Sequence, residues 1–554
     1  MKRNNDQTVT SLYTNSHSSI TCPEDVIKSQ FSNEYHHRLQ YKIKSKFCRY
    51  EITQKELDIA AEFGQFSHRP SDLFLKIFYN VICTLEYNPL VGCVSPSLIG
   101  SSGIIPLTII STIPDIMHHY YHVIINAQKE ILFTTMYWEK SESSNVICQA
   151  FYELNKRAGN ENRHIIIKLM IDHPKFSNII QYHSILPSNK WSYYDLPDPK
   201  QIPNLSLEVH NYHHFIMGTF HTKFLIIDRK LVLLNSNNIQ DRPNLEMMIQ
   251  YQGEIVNSFY DTFLISWSIP FQPNLVYKST IIDRTLDFYR SSKLLNLSIR
   301  SSDKNLPLQP ILTEHFNKSS KFISIDKNLS IEQIENLTFE FTPFIFHHSH
   351  QPFPIALVSR LAHGTPAHNS KHNPQNMAWI SAFKYAQRSI FIQTPTLNAS
   401  PAIKGIIDAC KRGIKVILWV GWGFNDLKEG RGTLQGGTNE QVIKKLYKIL
   451  KKTKNRKEQN LEVFWYVAKD QTRPIHFLEK KRNCHIKFMS IDDQIAILGN
   501  ANMDSLSWFH SQEINTMIDS PEIVQEWINT LYKNQSTTIY GKLNTDGIWC
   551  DRNE

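Results

Sequence analysis

The chain has 554 residues. That is too many for one hydrophobic core, since single cores stop growing at roughly 250–300 residues and longer chains divide. Hydrophobic residues make up 41% and charged residues 20%, with few glycines and prolines for the length, which excludes a disordered, collagen-like or mucin-like chain. The net charge of +9 favours anionic partners such as phosphate, lipid headgroups or nucleic acid, without choosing among them.

Residues 1–55 are rich in Ser, Thr and Asn and carry no apolar run of the kind a secretory leader needs. They read as a polar, loosely ordered tail, and the protein as intracellular: cytoplasmic or peripheral on an organelle membrane, not secreted. The eight cysteines form no CxxC pair and no regular spacing. This speaks against a disulfide framework or a zinc site and for a reducing compartment. Leu90 to Pro114 lacks charge, but three prolines and three glycines interrupt it. It reads as a loop with short buried strands rather than a membrane span.

From there the chain repeats itself. Ala127-Gln128-Lys129-Glu130-Ile131-Leu132-Phe133 resembles Ala386-Gln387-Arg388-Ser389-Ile390-Phe391-Ile392, and each follows a helical pattern opened near a proline, Pro114 or Pro374. Ile165 to Ile171 and Lys415 to Val420 are aliphatic runs suited to strands buried on both faces. His221-Thr222-Lys223 followed by Phe224 to Asp228 matches His485-Ile486-Lys487 followed by Phe488 to Asp492. Each copy leads through a polar turn into a second apolar run, which is a hairpin pattern, and then into an Asn-rich corner ending at Asn238 or Asn502. Alternating strands and helices in two copies predict an α/β fold of two homologous halves at 56–270 and 345–535. Residues 271–344 are left as a linker or insertion, and 536–554 as a second loose tail.

The repeated residues carry chemistry. On a strand, residues two apart share a face, so His221 leaves with Lys223 and His485 with Lys487. Asn238 and Asn502 each lie 17 positions beyond their histidine, and the hairpin returns the amide toward it. Two imidazoles, two ammonium groups and two amides suit a phosphodiester. Lysines and asparagines hold non-bridging oxygens, one imidazole attacks phosphorus, and the other protonates the leaving oxygen. The lysines supply the positive charge, so no metal and no cofactor is required. Each histidine needs a carboxylate on its other nitrogen, for which Glu246 and Glu513 are the candidates. Asp228 and Asp492 are at odd spacing from the histidines and read as turn-fixing groups.

In these residues the chain resembles the phospholipase D superfamily, whose signature is HxK, four residues, Asp and a Gly/Ser-x-Asn corner, present twice. Gln435-Gly436-Gly437-Thr438-Asn439-Glu440 and Trp508-Phe509-His510-Ser511-Gln512-Glu513 look like its cardiolipin-synthase-like branch. The resemblance implies two α/β sandwich halves on a pseudo-two-fold axis, with one shared active site. It also implies a phosphohistidine intermediate on His221 or His485, with His221 the first choice, and phosphate binding by Lys223 and Lys487. Asn235 and Asn500 depart from the Gly and Ser usual at the corners, which bears on hydrogen bonding to phosphoryl oxygens.

The expected function is therefore a metal-independent phosphodiesterase or phosphatidyltransferase acting on phospholipids, peripheral to a membrane. A nuclease using the same histidines, and a catalytically silent membrane scaffold, are the alternatives. Four further features are noted. Gly421 to Gly437 leads into a capping box at Thr438 and Gln441, and Lys444 to Lys457 reads as a basic amphipathic surface helix. Lys480-Lys481-Arg482 could gather an acidic substrate. His347-His348-Ser349-His350 and the trio His210, His213, His214 read as polar loops, the trio being a candidate lining for the cleft.

Overall fold

The computed structural model describes residues 8–15, 22–31, 51–86, 88–174, 182–275, 338–424, 436–453, 455–480 and 483–550. The side chains of Lys480-Lys481-Arg482 and most of the glycine-rich stretch (425–435) lie outside them. Among the described residues, sixteen strands form one continuous hydrogen-bonded sheet.

The sheet is two copies of one pattern. In the first half β1 (Gly100–Ser111), β2 (Glu130–Thr135), β3 (Ile165–Ile171), a short edge strand β4 (His183–Ile185), β5 (Leu205–Tyr212), β6 (Phe224–Ile227), β7 (Leu231–Asn235) and β8 (Glu246–Gln252) follow in chain order. After the short strand β9 (Phe344–Phe346) come β10 (Phe353–Leu357), β11 (Ser389–Thr394), β12 (Lys415–Val420), β13 (Leu461–Trp465), β14 (Phe488–Ile491), β15 (Ile495–Gly499) and β16 (Asn515–Asp519). The spatial order β5-β3-β2-β6-β7-β8-β1 in one half equals β13-β12-β11-β14-β15-β16-β10 in the other. β1 and β10 pair antiparallel at the centre, Gly100 opposite Ala356 and Gly103 opposite Phe353, which relates the halves by a pseudo-two-fold axis.

Burial on both faces follows from the aliphatic runs. On β2 and β3, Ile131, Phe133, Ile165, Ile167 and Leu169 face an outer core under the helices Ile113–Ile124 and Glu142–Asn160. The alternate residues Leu132, Ile166 and Met170 face a core that continues into the second half. Strand periodicity of two thus feeds two cores from one run. Both helices that open near a proline carry it at the first or second helical position, and Asn373 caps the second through the Asn376 N–H.

The hairpins after the motifs are also built alike. Asp228 and Arg229 have φ of +52° each, and Asp492 and Asp493 +54° each, the left-handed backbone that a tight hairpin turn needs and Asp tolerates. The Asp228 carboxylate accepts the N–H groups of Gln128, Lys129 and Glu130 at 2.7, 2.7 and 3.0 Å. Asp492 accepts those of Gln387, Arg388 and Ser389 in the same way. Each motif aspartate therefore locks its turn to the start of β2 or β11.

Four expectations are corrected here. Leu90–Pro114 is not a loop with short strands. It supplies β1, a single 12-residue strand that joins the halves. Pro106, which lacks an N–H, sits where the register with β8 shifts, and a Cβ at Gly103 would lie 2.6 Å from Ile255 Cγ2 and 2.8 Å from Gln252 O. The N-terminal tail is partly packed: Thr10 N and Oγ1 donate to buried Asp261 Oδ1 at 2.8 and 2.7 Å, and Ser95 N donates to Oδ2 at 2.8 Å. The C-terminal tail packs too, with Trp465 N donating to Gly541 O at 2.8 Å and Leu543 buried beside β13. Finally, the insertion contributes β9, which pairs with β1, while residues 276–337 lie outside the description.

Four of the histidines noted outside the motifs are packed into the framework. His347 is buried between Glu526 and Thr108 Oγ1, the latter at 2.9 Å. His210 stacks on Trp267 with ring centroids 4.1 Å apart, and His213 Nδ1 lies 2.9 Å from Asp172 Oδ1. His214 stacks on Tyr182, and none of the trio lines the central cavity. The basic helix Asn439–Lys451 opens with the expected Thr438–Gln441 capping box and buries Val442, Ile443, Leu446, Tyr447 and Leu450, leaving its lysines on the outer face. No helix among the described residues is long and apolar enough to cross a membrane.

Candidate active site

The HxK segments are not inside strands, as the spacing suggested. β6 starts at Phe224 and β14 at Phe488, so His221 to Lys223 and His485 to Lys487 lie in the extended chain just before them. What fixes these segments is the opposite half. His221 N donates to Gln512 O at 2.9 Å, and His485 N donates to Leu245 O at 2.8 Å. Each motif is thus stitched by its backbone to the strand entry that carries the other half's glutamate.

That stitching crosses the carboxylates over. His221 Nδ1 lies 2.8 Å from Glu513 Oε2, and His485 Nδ1 lies 3.1 Å from both Glu246 oxygens. Both glutamates are essentially without solvent contact, at 0% and 1% exposure. With Nδ1 occupied, each ring can present only Nε2 to a substrate. Both histidines, with Asn238 and Asn502, line one cavity of about 540 Å³ at the junction of the halves. Of the ten sequence candidates, eight converge here or immediately behind, and Asp228 and Asp492 stay at the distant turns.

The lysines stand behind the histidines and do not line the cavity. Lys223 Nζ donates to His221 O at 2.9 Å, and Lys487 Nζ donates to His485 O at 2.6 Å. Burial and the nearby Lys487 bring the Lys223 ammonium down to about 7, and burial brings Lys487 to about 8 against the pull of Glu246 and Glu513. Two buried ammonium groups that repel each other favour an added anion, and phosphate is an anion of the right charge.

The two His–Glu pairs are unequal. Burial pushes Glu246 up, but His485, Lys487 and the Ser236 hydroxyl outweigh it and hold the carboxyl below its ordinary value. Burial lowers His485 to about 4, with Glu246 offsetting part of the effect. Glu513 is pushed up by burial to about 8 despite Lys223 and Ser507, while burial and the two lysines hold His221 well below its usual range.

Several supporting residues were not legible beforehand. Ser507 Oγ donates to Glu513 Oε1 at 2.6 Å, and buried Arg360 donates to Ser507 O at 3.0 Å. The unusual corner residues do not line the cavity. Asn235 bonds the Tyr120 hydroxyl, and Asn500 Oδ1 accepts the Lys223 N–H at 3.0 Å, pinning the other half's motif. The Ser usual at position 500 has an equivalent in Ser236 of the first half, and in the second half Ser507 supplies the hydroxyl instead. The only prior signal was the departure at the corner itself.

Residues 379–533 match the family model described as cardiolipin synthase, PLD-like domain. No curated protein sequence matches the chain. Among solved structures, a phosphatidylserine synthase from Haemophilus influenzae aligns over 79% of this chain and 89% of its own, at 15% identity and a TM-score of 0.48. NUC, a phospholipase D family member from Salmonella typhimurium, aligns over 32% and 92% at 13% identity and a TM-score of 0.23. NucT from Helicobacter pylori aligns over 28% and 84% at 20% identity and a TM-score of 0.21. The matched segment holds the second HxKx4D motif, and the first half repeats its strand order and its motif across a pseudo-two-fold axis. The second half of the chain is thus similar to a phospholipase D-like domain, and the first half shares its strand order and its motif.

Proposed function

We propose that the protein is a phosphodiesterase or phosphatidyltransferase of the phospholipase D type acting on phospholipids at a membrane surface, through a phosphohistidine and without a metal ion. The observation that carries this is the crossed arrangement: two histidines from separate halves line one cavity, each with Nδ1 on the other half's glutamate.

The proton inventory supports a division of roles. Glu246 is ionised and His485 neutral, so the proton of His485 sits on Nδ1 against the carboxylate and Nε2 keeps its lone pair. The Glu513–His221 pair retains one more proton below about pH 8. Whichever member of that hydrogen bond holds it, Nε2 of His221 bears hydrogen. His485 Nε2 then attacks phosphorus, the bond to the leaving oxygen breaks, and His221 Nε2 gives that oxygen its proton. His221, now a base, takes the proton of water or of an alcohol as that oxygen attacks phosphorus, and the bond to His485 breaks. On this reading His485, rather than the His221 preferred from the sequence, is the attacking group. Asn238 and Asn502 line the cavity and stabilise the charge that grows on the non-bridging oxygens, and Lys223 and Lys487 add their positive field from behind the histidines.

The pH dependence follows with a definite sign. As pH falls toward 4, His485 gains a proton and loses its lone pair. As pH rises through 7 to 8, Lys223, Lys487 and the Glu513–His221 pair all lose protons. The kcat/KM profile is expected to be a bell with limbs near about 4 and about 7–8, and activity that keeps climbing above pH 8 contradicts the assignment.

The substrate class is tested by incubating the purified chain with phosphatidylglycerol vesicles, cardiolipin vesicles and single-stranded DNA, with and without EDTA, and identifying products by mass spectrometry. Lipid turnover unaffected by EDTA is expected. Cleavage of DNA alone refutes the lipid reading, strict dependence on added divalent metal refutes the charge-supply argument, and wild-type activity no higher than that of the His221→Ala, His485→Ala protein indicates a silent scaffold.

A further inference from the structure

The pseudo-symmetry makes a comparison possible that a single site would not allow. Two loops reach the cavity from each half: the one leaving β2 or β11, and the one after the corner asparagine. Trp138 bridges Ile239 as Leu397 bridges Met503, and Glu139 N donates to Ile239 O at 2.9 Å as Asn398 N donates to Met503 O at 3.0 Å. The equivalent positions are therefore fixed: Tyr137 with Thr396, Glu139 with Asn398, Gln240 with Asp504, and Arg242 with Leu506.

The second-half members are spent on one another. Thr396 Oγ1 donates to Asp504 Oδ2 at 2.9 Å, and Asp504 Oδ1 caps the following helix through the Ser507 N–H at 2.9 Å. Asn398 accepts from Ser505 N at 3.0 Å and donates to Gly437 O at 3.2 Å. Leu506 has no polar group to offer, and Phe424 adds a ring to the cavity.

The first-half members differ. Tyr137, Glu139, Gln240 and Arg242 all line the cavity. The side chains of Tyr137, Glu139 and Gln240 make no hydrogen bond or ion pair with a described residue. Among the described residues the Arg242 guanidinium makes only a ring contact, 5.9 Å from the centroid of Phe477. Asp241, between Gln240 and Arg242, is turned away and accepts the Glu142 and Ser143 N–H groups at the start of a helix. One wall of the cavity thus presents a carboxylate, a guanidinium, an amide and a phenol with no partner among the described residues, and the opposite wall is closed and partly apolar.

We infer that the Tyr137–Glu139–Gln240–Arg242 wall is a recognition subsite for a zwitterionic polar group esterified to the phosphate, one bearing an ammonium and a carboxylate. Arg242 takes the carboxylate in its planar fork, Glu139 takes the ammonium, and Gln240 and Tyr137 bond what remains. A group carrying only one charge satisfies one of the two, and a neutral polyol satisfies neither. The inference rests on the phosphodiester reading of the cavity and adds to it the class of headgroup or acceptor.

The test is titration calorimetry on the full chain carrying His221→Ala and His485→Ala, so that nothing turns over, with three soluble phosphodiesters: glycerophosphoserine, glycerophosphoethanolamine and glycerophosphoglycerol. The serine diester is expected to bind at least about tenfold more tightly than the glycerol diester, as two charge-assisted contacts should give. Arg242→Leu, which installs the residue of the equivalent position, should erase the preference for the serine over the ethanolamine diester. Glu139→Gln should erase the preference for the ethanolamine over the glycerol diester. Equal affinity for all three, or preferences that survive both substitutions, overturns the subsite. Wild-type turnover on phospholipid vesicles is measured alongside. A serine preference without lipid turnover counts against the lipid reading alone, and lipid turnover without any preference counts against the subsite alone.

Discussion

His485→Ala is expected to abolish both turnover and the covalent intermediate, a loss of at least ~10⁴-fold in kcat, as removal of a nucleophile commonly gives. His221→Ala is expected to cost less, ~10²–10⁴-fold, the range of a lost general acid. The two are separated by the leaving group. A p-nitrophenyl phosphodiester needs no proton to depart, so the His221→Ala protein should release one equivalent of nitrophenol in a burst and then stall, with phosphate on His485. The His485→Ala protein should show no burst. Phosphate found on His221 in the wild-type protein would invert the roles. Either single variant retaining about half of the activity would mean two independent sites.

The glutamates give the second large effect, and it runs across the halves. Glu246→Gln places an amide against His485 Nδ1, where its N–H favours the tautomer with hydrogen on Nε2. The lone pair turns inward, and kcat is expected to fall ~10³–10⁴-fold, comparable to the loss of the carboxylate in a serine-protease triad. The nitrophenol burst should disappear with it. Glu513→Gln should keep the burst but lose turnover on phospholipid. Without that carboxyl the pair cannot hold its extra proton, and His221, depressed by burial and by both lysines, stands deprotonated at neutral pH. Its falling limb should accordingly move from about 8 to the acid side. Equal effects of the two substitutions on burst and turnover would remove the basis for unequal roles.

Much of the fold could be read from the sequence because its strongest signals are local. β3 and β12 have the limits of their aliphatic runs, and the motif aspartates showed by their odd spacing that they serve the turn. The signal failed where structure depends on distant partners. β1 looked like an interrupted loop because Gly100, Gly103 and Pro106 are strand breakers in isolation, and become tolerable only where the two halves of the sheet meet and the register shifts. The N-terminal segment looked loose because its polar residues have no local use, and Thr10 finds Asp261 only in the folded chain. At the site, both glutamates could be named but not paired. The crossing of Glu246 to His485 and of Glu513 to His221 follows from backbone bonds between halves, which no spacing within one half encodes. The polar wall of the cavity was invisible for the same reason. Gln240 and Asp504 look equally polar in sequence, and the bonds of Asp504 to Thr396 and to the Ser507 N–H distinguish them.

The most direct test of a site shared between the halves is an experimental structure with orthovanadate, which adopts the trigonal geometry of a phosphoryl group in transfer. A single vanadium bonded to His485 Nε2, with His221 Nε2 on its opposite side and Asn238 and Asn502 around its equator, is the predicted result. Two vanadates held separately by the two histidines, or rings too far apart to share one, would contradict it.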